Sequence, residues 1–175
     1  MSISSGRLFG SDNYSGIHPE ILNGGGTGSL NYAAADPSLT EVTAGSGLLC
    51  SHLFDYYSNI RFEPSCFFAL QVVRSSDSGF VTCQGGGYIA SGEPGWDRVP
   101  VPWLPPESEL VATEGCGEVQ TPLSVRFPLR PGDPVLFRHA KAGELAERFT
   151  EYLLVSGGKI VSRAKTYRGL DQCFF

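Results

Sequence analysis

The chain has 175 residues, 41% hydrophobic and only 18% charged, with 22 glycines and 12 prolines. That is enough apolar material for one domain with a core, and the mixture suits turns and short strands better than long helices. A net charge of −5, with no basic run longer than a residue pair, excludes a general nucleic-acid surface.

No run approaches the ~18 apolar residues of a membrane span, and no basic segment followed by an apolar stretch opens the chain as in a signal peptide. The five cysteines, Cys50, Cys66, Cys83, Cys116 and Cys173, are odd in number and widely spaced, without a CxxC. They read as reduced thiols of a cytoplasmic protein rather than a disulfide framework or zinc ribbon.

Residues 1–22 read as an N-terminal arm, with Pro19 and Glu20 suited to the first turn of a short helix. Residues 23–38 form a glycine-rich segment opening on Asn23-Gly24-Gly25-Gly26-Thr27-Gly28-Ser29. Three consecutive glycines let the backbone turn through positive φ and approach a ligand closely. The clustered N–H groups, with the Thr27 and Ser29 hydroxyls, suit a phosphate monoester. A flexible linker or tight turn is the competing reading on composition.

From residue 39 onward the pattern is that of a β domain. Residues 39–44 are β-prone, and Leu48, Leu49, Cys50, Leu53 and Phe54 supply apolar material around a glycine-rich bend. Cys66 to Val73 is a continuous apolar run fit for a buried strand, returning through Ser75–Gly79 into Phe80–Cys83. The five prolines and two tryptophans of residues 92–108 predict an irregular packed loop. Strands are predicted over 109–113 and 118–121, a turn over 129–134, and a strand over 135–137 running into Arg138-His139. One or two helical turns are expected over 142–149. Residues 152–155 and 160–162, joined through Ser156-Gly157-Gly158-Lys159, make the clearest hairpin. The expected fold is mainly β, an antiparallel barrel-like domain of short strands with one or two short helices.

The stretch Phe9 to Leu22 resembles the opening of fold-type I threonine aldolases, and that likeness ends at Leu22. The remainder resembles the C-terminal part of fold-type III pyridoxal-phosphate enzymes, the group of D-threonine aldolase, D-serine dehydratase-like proteins and alanine racemase. The matching pieces, in family order, are Asn23–Ser29, Thr40–Gly47, Gly85–Tyr88, Glu114–Leu123, Gly132–Val135, Arg138–Leu145 and Thr166–Gly169.

This resemblance implies pyridoxal 5′-phosphate as cofactor, its phosphate held by Gly25, Gly26, Thr27 and Gly28. The implied chemistry is aldol cleavage or elimination of β-hydroxy D-amino acids. In the family an N-terminal (β/α)8 barrel carries the Schiff-base lysine. None of the three lysines here, Lys141, Lys159 and Lys165, matches it, so the expectation is a truncated or fused relative, weak or inactive alone.

His139 occupies the family's first metal-ligand position, but Lys141 stands two residues on, where a Cys or Asp would complete a divalent site, and an ammonium has no lone pair to give. His139, Lys141 and Tyr88 are the candidates for chemistry. Against that, His139 reads as a hydrogen-bonded strand-end residue, Glu144 as a first-turn helix residue, and Tyr88 and Tyr167 as packing residues. The expected partners are a small amino acid or phosphate ligand and either a second copy or a separate barrel-containing chain. The alternative to an enzyme is a non-catalytic binding module that exposes the surface on which a barrel would pack.

Overall fold

The computed structural model describes residues 21–166 and Leu170. The predicted arm therefore lies, but for Ile21 and Leu22, outside the described residues, as do Tyr167 and Cys173. Among the described residues ten short strands and two short α-helices follow one another. Six strands form one antiparallel sheet: β3 (Phe67–Ser75), β4 (Phe80–Gln84), β5 (Val101–Leu104), β6 (Ser108–Leu110), β7 (Gln120–Val125) and β8 (Pro134–Arg138). Their order is β5-β8-β3-β4-β7-β6. The two edges of this sheet are consecutive in sequence, joined only by Pro105-Pro106-Glu107. The sheet thus curls until its edges meet at a covalent turn, a nearly closed barrel of the kind that removes exposed strand edges. The Ser108 hydroxyl donates to Pro105 O at 2.8 Å inside that turn.

The run Cys66–Val73 becomes β3, but as an alternating strand and not a continuously buried one. Phe68, Leu70 and Val72 point inward, while Phe67, Ala69 and Gln71 do not. An antiparallel sheet buries one face only. Phe67 spends its outward ring on Trp103, with centroids 6.0 Å apart. The barrel interior is filled by Phe68, Leu70, Val72, Val81, Cys83, Leu123, Val135 and Phe137, with the Phe68 and Phe137 rings stacked at 5.4 Å. Helix α2 (Ala142–Ala146) adds Leu145 to this core. Strands β9 (Glu151–Ser156) and β10 (Lys159–Lys165) pair as the expected hairpin, a separate ribbon turned by Gly157 and Gly158, both at positive φ.

Two expectations shift. The segment 92–108 is not wholly irregular, since it contains β5 and the start of β6. Pro102 is tolerated in β5 because that strand is an edge, paired with β8 alone. The strand expected over 118–121 begins at Gln120 and runs through Pro122 to Val125. Pro122 O accepts the Val111 N–H at 3.2 Å. Its nitrogen therefore faces the same side, just past the end of β6, where the missing donor breaks no ladder.

The glycine-rich segment is built differently. Strands β1 (Asn23–Gly24) and β2 (Glu41–Val42) pair in parallel. The crossover that parallel strands require is the glycine turn followed by helix α1 (Leu30–Ala35). Two 3-10 turns, Gly45–Leu48 and His52–Tyr56, then lead to the barrel. Among the described residues no helix is long and apolar enough to cross a membrane.

Candidate functional site

The glycine turn leaves β1 and makes one 3-10 turn, Thr27–Ser29, closed by Ser29 N–H donating to Gly26 O at 3.1 Å. The backbone N–H groups of Gly26, Thr27 and Gly28 donate to no described residue. The glycines have separate tasks. Gly25 has φ +91, and a Cβ there would stand 2.7 Å from that of Ala33. On Gly28 a Cβ would meet the Tyr57 ring at 2.7 Å, whereas on Gly26 it would meet nothing within 4 Å. Gly26 alone fronts open space, with three unspent donors beside it.

Thr27, expected to offer its hydroxyl to a ligand, is buried and spends it on the protein. Its Oγ1 accepts from Gly47 N–H at 2.9 Å and lies 3.2 Å from Ser46 Oγ. That bond pins the turn to the following segment and leaves its backbone N–H groups as the donors the turn can offer a ligand.

The segment 45–63 joins the turn to the barrel. Tyr57 packs over Gly28 on one side and lines a cavity of about 600 Å³ on the other, together with Phe54, Asp55, Arg61 and Glu63. Beneath this wall, the buried Arg138 of β8 donates to Asp55 through two nitrogens, at 2.6 and 3.0 Å, and to Cys50 O at 3.2 Å. Its guanidinium also lies 5.3 Å from the Trp103 ring centre. Cys50 itself takes φ +48 to present that carbonyl.

His139 follows Arg138 and is sealed, 2% exposed, with neither ring nitrogen hydrogen-bonded to a described residue. Burial pushes its pKa down to about 4; the Cys66 backbone beside the ring opposes this without reaching hydrogen-bond geometry, while His52 and Arg138 add to it. The ring is therefore neutral at pH 7. His52 is tied into the same region: its N–H donates to His139 O at 3.0 Å and its Nε2 lies 2.7 Å from Val99 O.

Lys141 Nζ donates to Ser91 O and Oγ at 2.7 and 3.0 Å. Glu144 pairs with Arg148 at i,i+4, 2.9 Å away, as expected of a helix residue. Tyr88 packs edge-on against Phe68 and Phe149 under Arg148. Among the described residues no group of three or more His, Cys, Asp or Glu side chains is placed to hold a metal ion.

The structure thus joins the glycine turn to Ser46, Gly47 and Tyr57, partners that sequence spacing does not reveal. Among the described residues no hydrogen bond, ion pair or ring contact links the turn to His139, Lys141 or Tyr88. The Asp55–Arg138 pair was also missed, and no local signal marks residues so far apart.

No protein-family model matches the sequence, and no curated protein matches it. Among solved structures, the crystal structure of D-threonine aldolase from Filomicrobium marinum is similar, with a TM-score of 0.72 and 19% sequence identity. The match covers 88% of this chain and 43% of that one. At that identity the likeness shows a shared fold, and this chain spans less than half the length of the aldolase. The fold agrees with the one implied by the resemblance to fold-type III enzymes.

Proposed function

We propose that this chain supplies the phosphate turn and the closing β domain of a D-threonine-aldolase-like lyase that uses pyridoxal 5′-phosphate on β-hydroxy D-amino acids. The observation that carries the reading is the turn itself, where the backbone N–H groups of Gly26, Thr27 and Gly28 find no acceptor among the described residues and a Cβ on Gly26 would meet nothing within 4 Å. These donors fit a phosphate dianion, which needs several converging N–H groups and close backbone approach. Gly25 and Gly28 shape the turn, Thr27 anchors it, and Tyr57 walls its flank. The cofactor, when bound, supplies an electron sink for cleavage beside the substrate's amino group.

The lysine that such chemistry needs is assigned to a polypeptide segment other than this β domain. Lys141 is committed to Ser91, and Lys159 and Lys165 lie on the exposed β9–β10 ribbon; a Schiff-base lysine must be desolvated beside its cofactor. We therefore expect the chain alone to turn over weakly or not at all. A divalent ion at His139 would find a neutral imidazole, but the second position of the expected motif holds the Lys141 ammonium, so the donor set does not fit a metal. The free, buried state of the four described cysteines supports a reducing compartment, the cytoplasm.

Equilibrium dialysis against pyridoxal phosphate tests this. The native chain should bind it without covalent capture by borohydride, and Gly26→Val, which fills the open space, should weaken binding about tenfold or more. Equal binding by both proteins would remove the turn from the site. Consumption of D-threonine by the chain alone would overturn the assignment of the lysine elsewhere.

One observation favours a second reading, a non-catalytic interaction module. Tyr32, Leu48 and Tyr56, all in the turn-bearing region, are 71%, 76% and 69% exposed, and apolar exposure of that kind marks contact surfaces. Its partner would be a second copy or a barrel-containing chain, and a strictly monomeric chain at high concentration that captures no such partner would dismiss it.

A further inference from the structure

The cavity beside the glycine turn holds two opposite charges that do not pair. Arg61 and Glu63 both line it, and neither makes an ion pair or hydrogen bond with a described residue. They lie two residues apart in a stretch without helix, strand or turn, and both side chains line the one cavity. Phe62 between them lines the same cavity, and its ring comes within 3.1–3.2 Å of where a Cβ on Gly47 would stand. The third charged wall residue, Asp55, is already matched by Arg138 through both carboxylate oxygens. One guanidinium and one carboxylate are therefore left facing the same space, with Phe54 and Ile60 as apolar wall.

A simple anion would use Arg61 alone, and a simple cation Glu63 alone. A small molecule carrying both charged groups on one carbon uses both, and a guanidinium is the better host for the planar carboxylate. The volume of about 600 Å³ lies within the range of small-molecule sites. We propose that this cavity binds an α-amino acid as its zwitterion, with the carboxylate on Arg61, the ammonium on Glu63 and the side chain toward Phe54 and Ile60. Tyr57, shared by the cavity wall and the glycine turn, places this ligand next to the phosphate site. That the zwitterion is an amino acid rests on the proposed function; the unpaired charges do not.

The test is a titration of the full chain with glycine and with D-threonine, followed by tyrosine fluorescence and by chemical shifts of residues 54–63. N-acetylglycine, which lacks the ammonium, and glycinamide, which lacks the carboxylate, serve as controls. Glycine and D-threonine should saturate, with each control weaker by about tenfold, the scale of one lost charge-assisted contact. In Arg61→Leu, glycine should fall to the level of glycinamide, and in Glu63→Gln to that of N-acetylglycine. Both positions are exposed, and unchanged circular dichroism will verify the fold.

Equal binding of all four ligands, unaltered affinity in both variants, or no saturation with either amino acid would overturn the proposal. Pyridoxal phosphate is titrated into the same samples. Amino-acid binding without cofactor binding supports the cavity and removes the lyase reading. Cofactor binding without amino-acid binding overturns the cavity and leaves that reading in place.

Discussion

A methyl group placed on Gly26 would enter open space, whereas one on Gly28 would lie 2.7 Å from the Tyr57 ring. Gly26 has φ 175, ordinary extended backbone, so Gly26→Ala should leave stability unchanged within about 0.5 kcal/mol. Gly28→Ala forces Tyr57 aside and should cost about 1–3 kcal/mol, the usual range for overpacking. Urea denaturation of the two variants measures this, and equal midpoints would show that Tyr57 does not close on the turn.

His139 carries a pH dependence. Its folded pKa, about 4, lies below the ~6.5 of an unfolded histidine. Between these values the unfolded chain binds a proton that the folded chain refuses. The stabilising contribution is complete above pH ~6.5 and is lost as pH falls toward 4, by about 3 kcal/mol in all. His52, lowered chiefly by burial, acts in the same direction. Because neither His139 nitrogen has a hydrogen-bond partner among the described residues, His139→Leu should cost under ~1.5 kcal/mol at pH 7 and flatten the stability–pH curve between 6.5 and 4. An unchanged slope would mean that the ring is not sealed from water.

At the scale of elements, sequence legibility followed the range of the interaction that decides each one. The β3–β4 pair, β8, α2 and the β9–β10 hairpin were readable, because apolar runs bounded by Ser-Asp-Ser-Gly, Pro-Gly-Asp and Gly-Gly carry local signals. Strand β5 was hidden by proline, and β7 was read short because it runs through Pro122. Pro102 is harmless only because β5 has one neighbour, and Pro122 only because β6 stops short of it. Neither fact exists until the sheet is assembled. In the site, the glycine turn was legible and its anchors were not: Gly47 and Tyr57 owe their roles to contacts 20 or more residues away.

The Asp55–Arg138 pair belongs to the same class, and it clamps the 3-10 turn to β8. Asp55→Ala would leave a buried guanidinium with only the Cys50 backbone carbonyl as a firm partner. Since Asp55 is itself 53% exposed, water will repay part of that loss, and the expected cost is about 1–2 kcal/mol. A thermal shift within error of wild type would show that the clamp holds nothing.

Across the whole molecule, two kinds of architecture meet. The barrel is antiparallel, buries one face and closes on itself. The β1–α1–β2 unit is parallel and only two residues deep, a pairing that elsewhere is stable when buried within a larger sheet. Its ties to the barrel run through Thr27–Gly47 and the segment that Arg138 clamps. Its opening should therefore cost far less than global unfolding, whereas β3, β4 and β8 should open only with the whole barrel.

Native-state hydrogen exchange resolves the two. Amides of β3, β4 and β8 should exchange at the rate set by global stability, and those of residues 23–44 much faster. Adding pyridoxal phosphate should then slow exchange at Gly26, Thr27 and Gly28, whose N–H groups have no acceptor among the described residues, and leave β3 unaffected. If residues 23–44 are as protected as β3 without any ligand, the unit is part of the barrel's cooperative core. If ligand slows the barrel and the turn alike, the N–H groups of the turn are not where the phosphate binds.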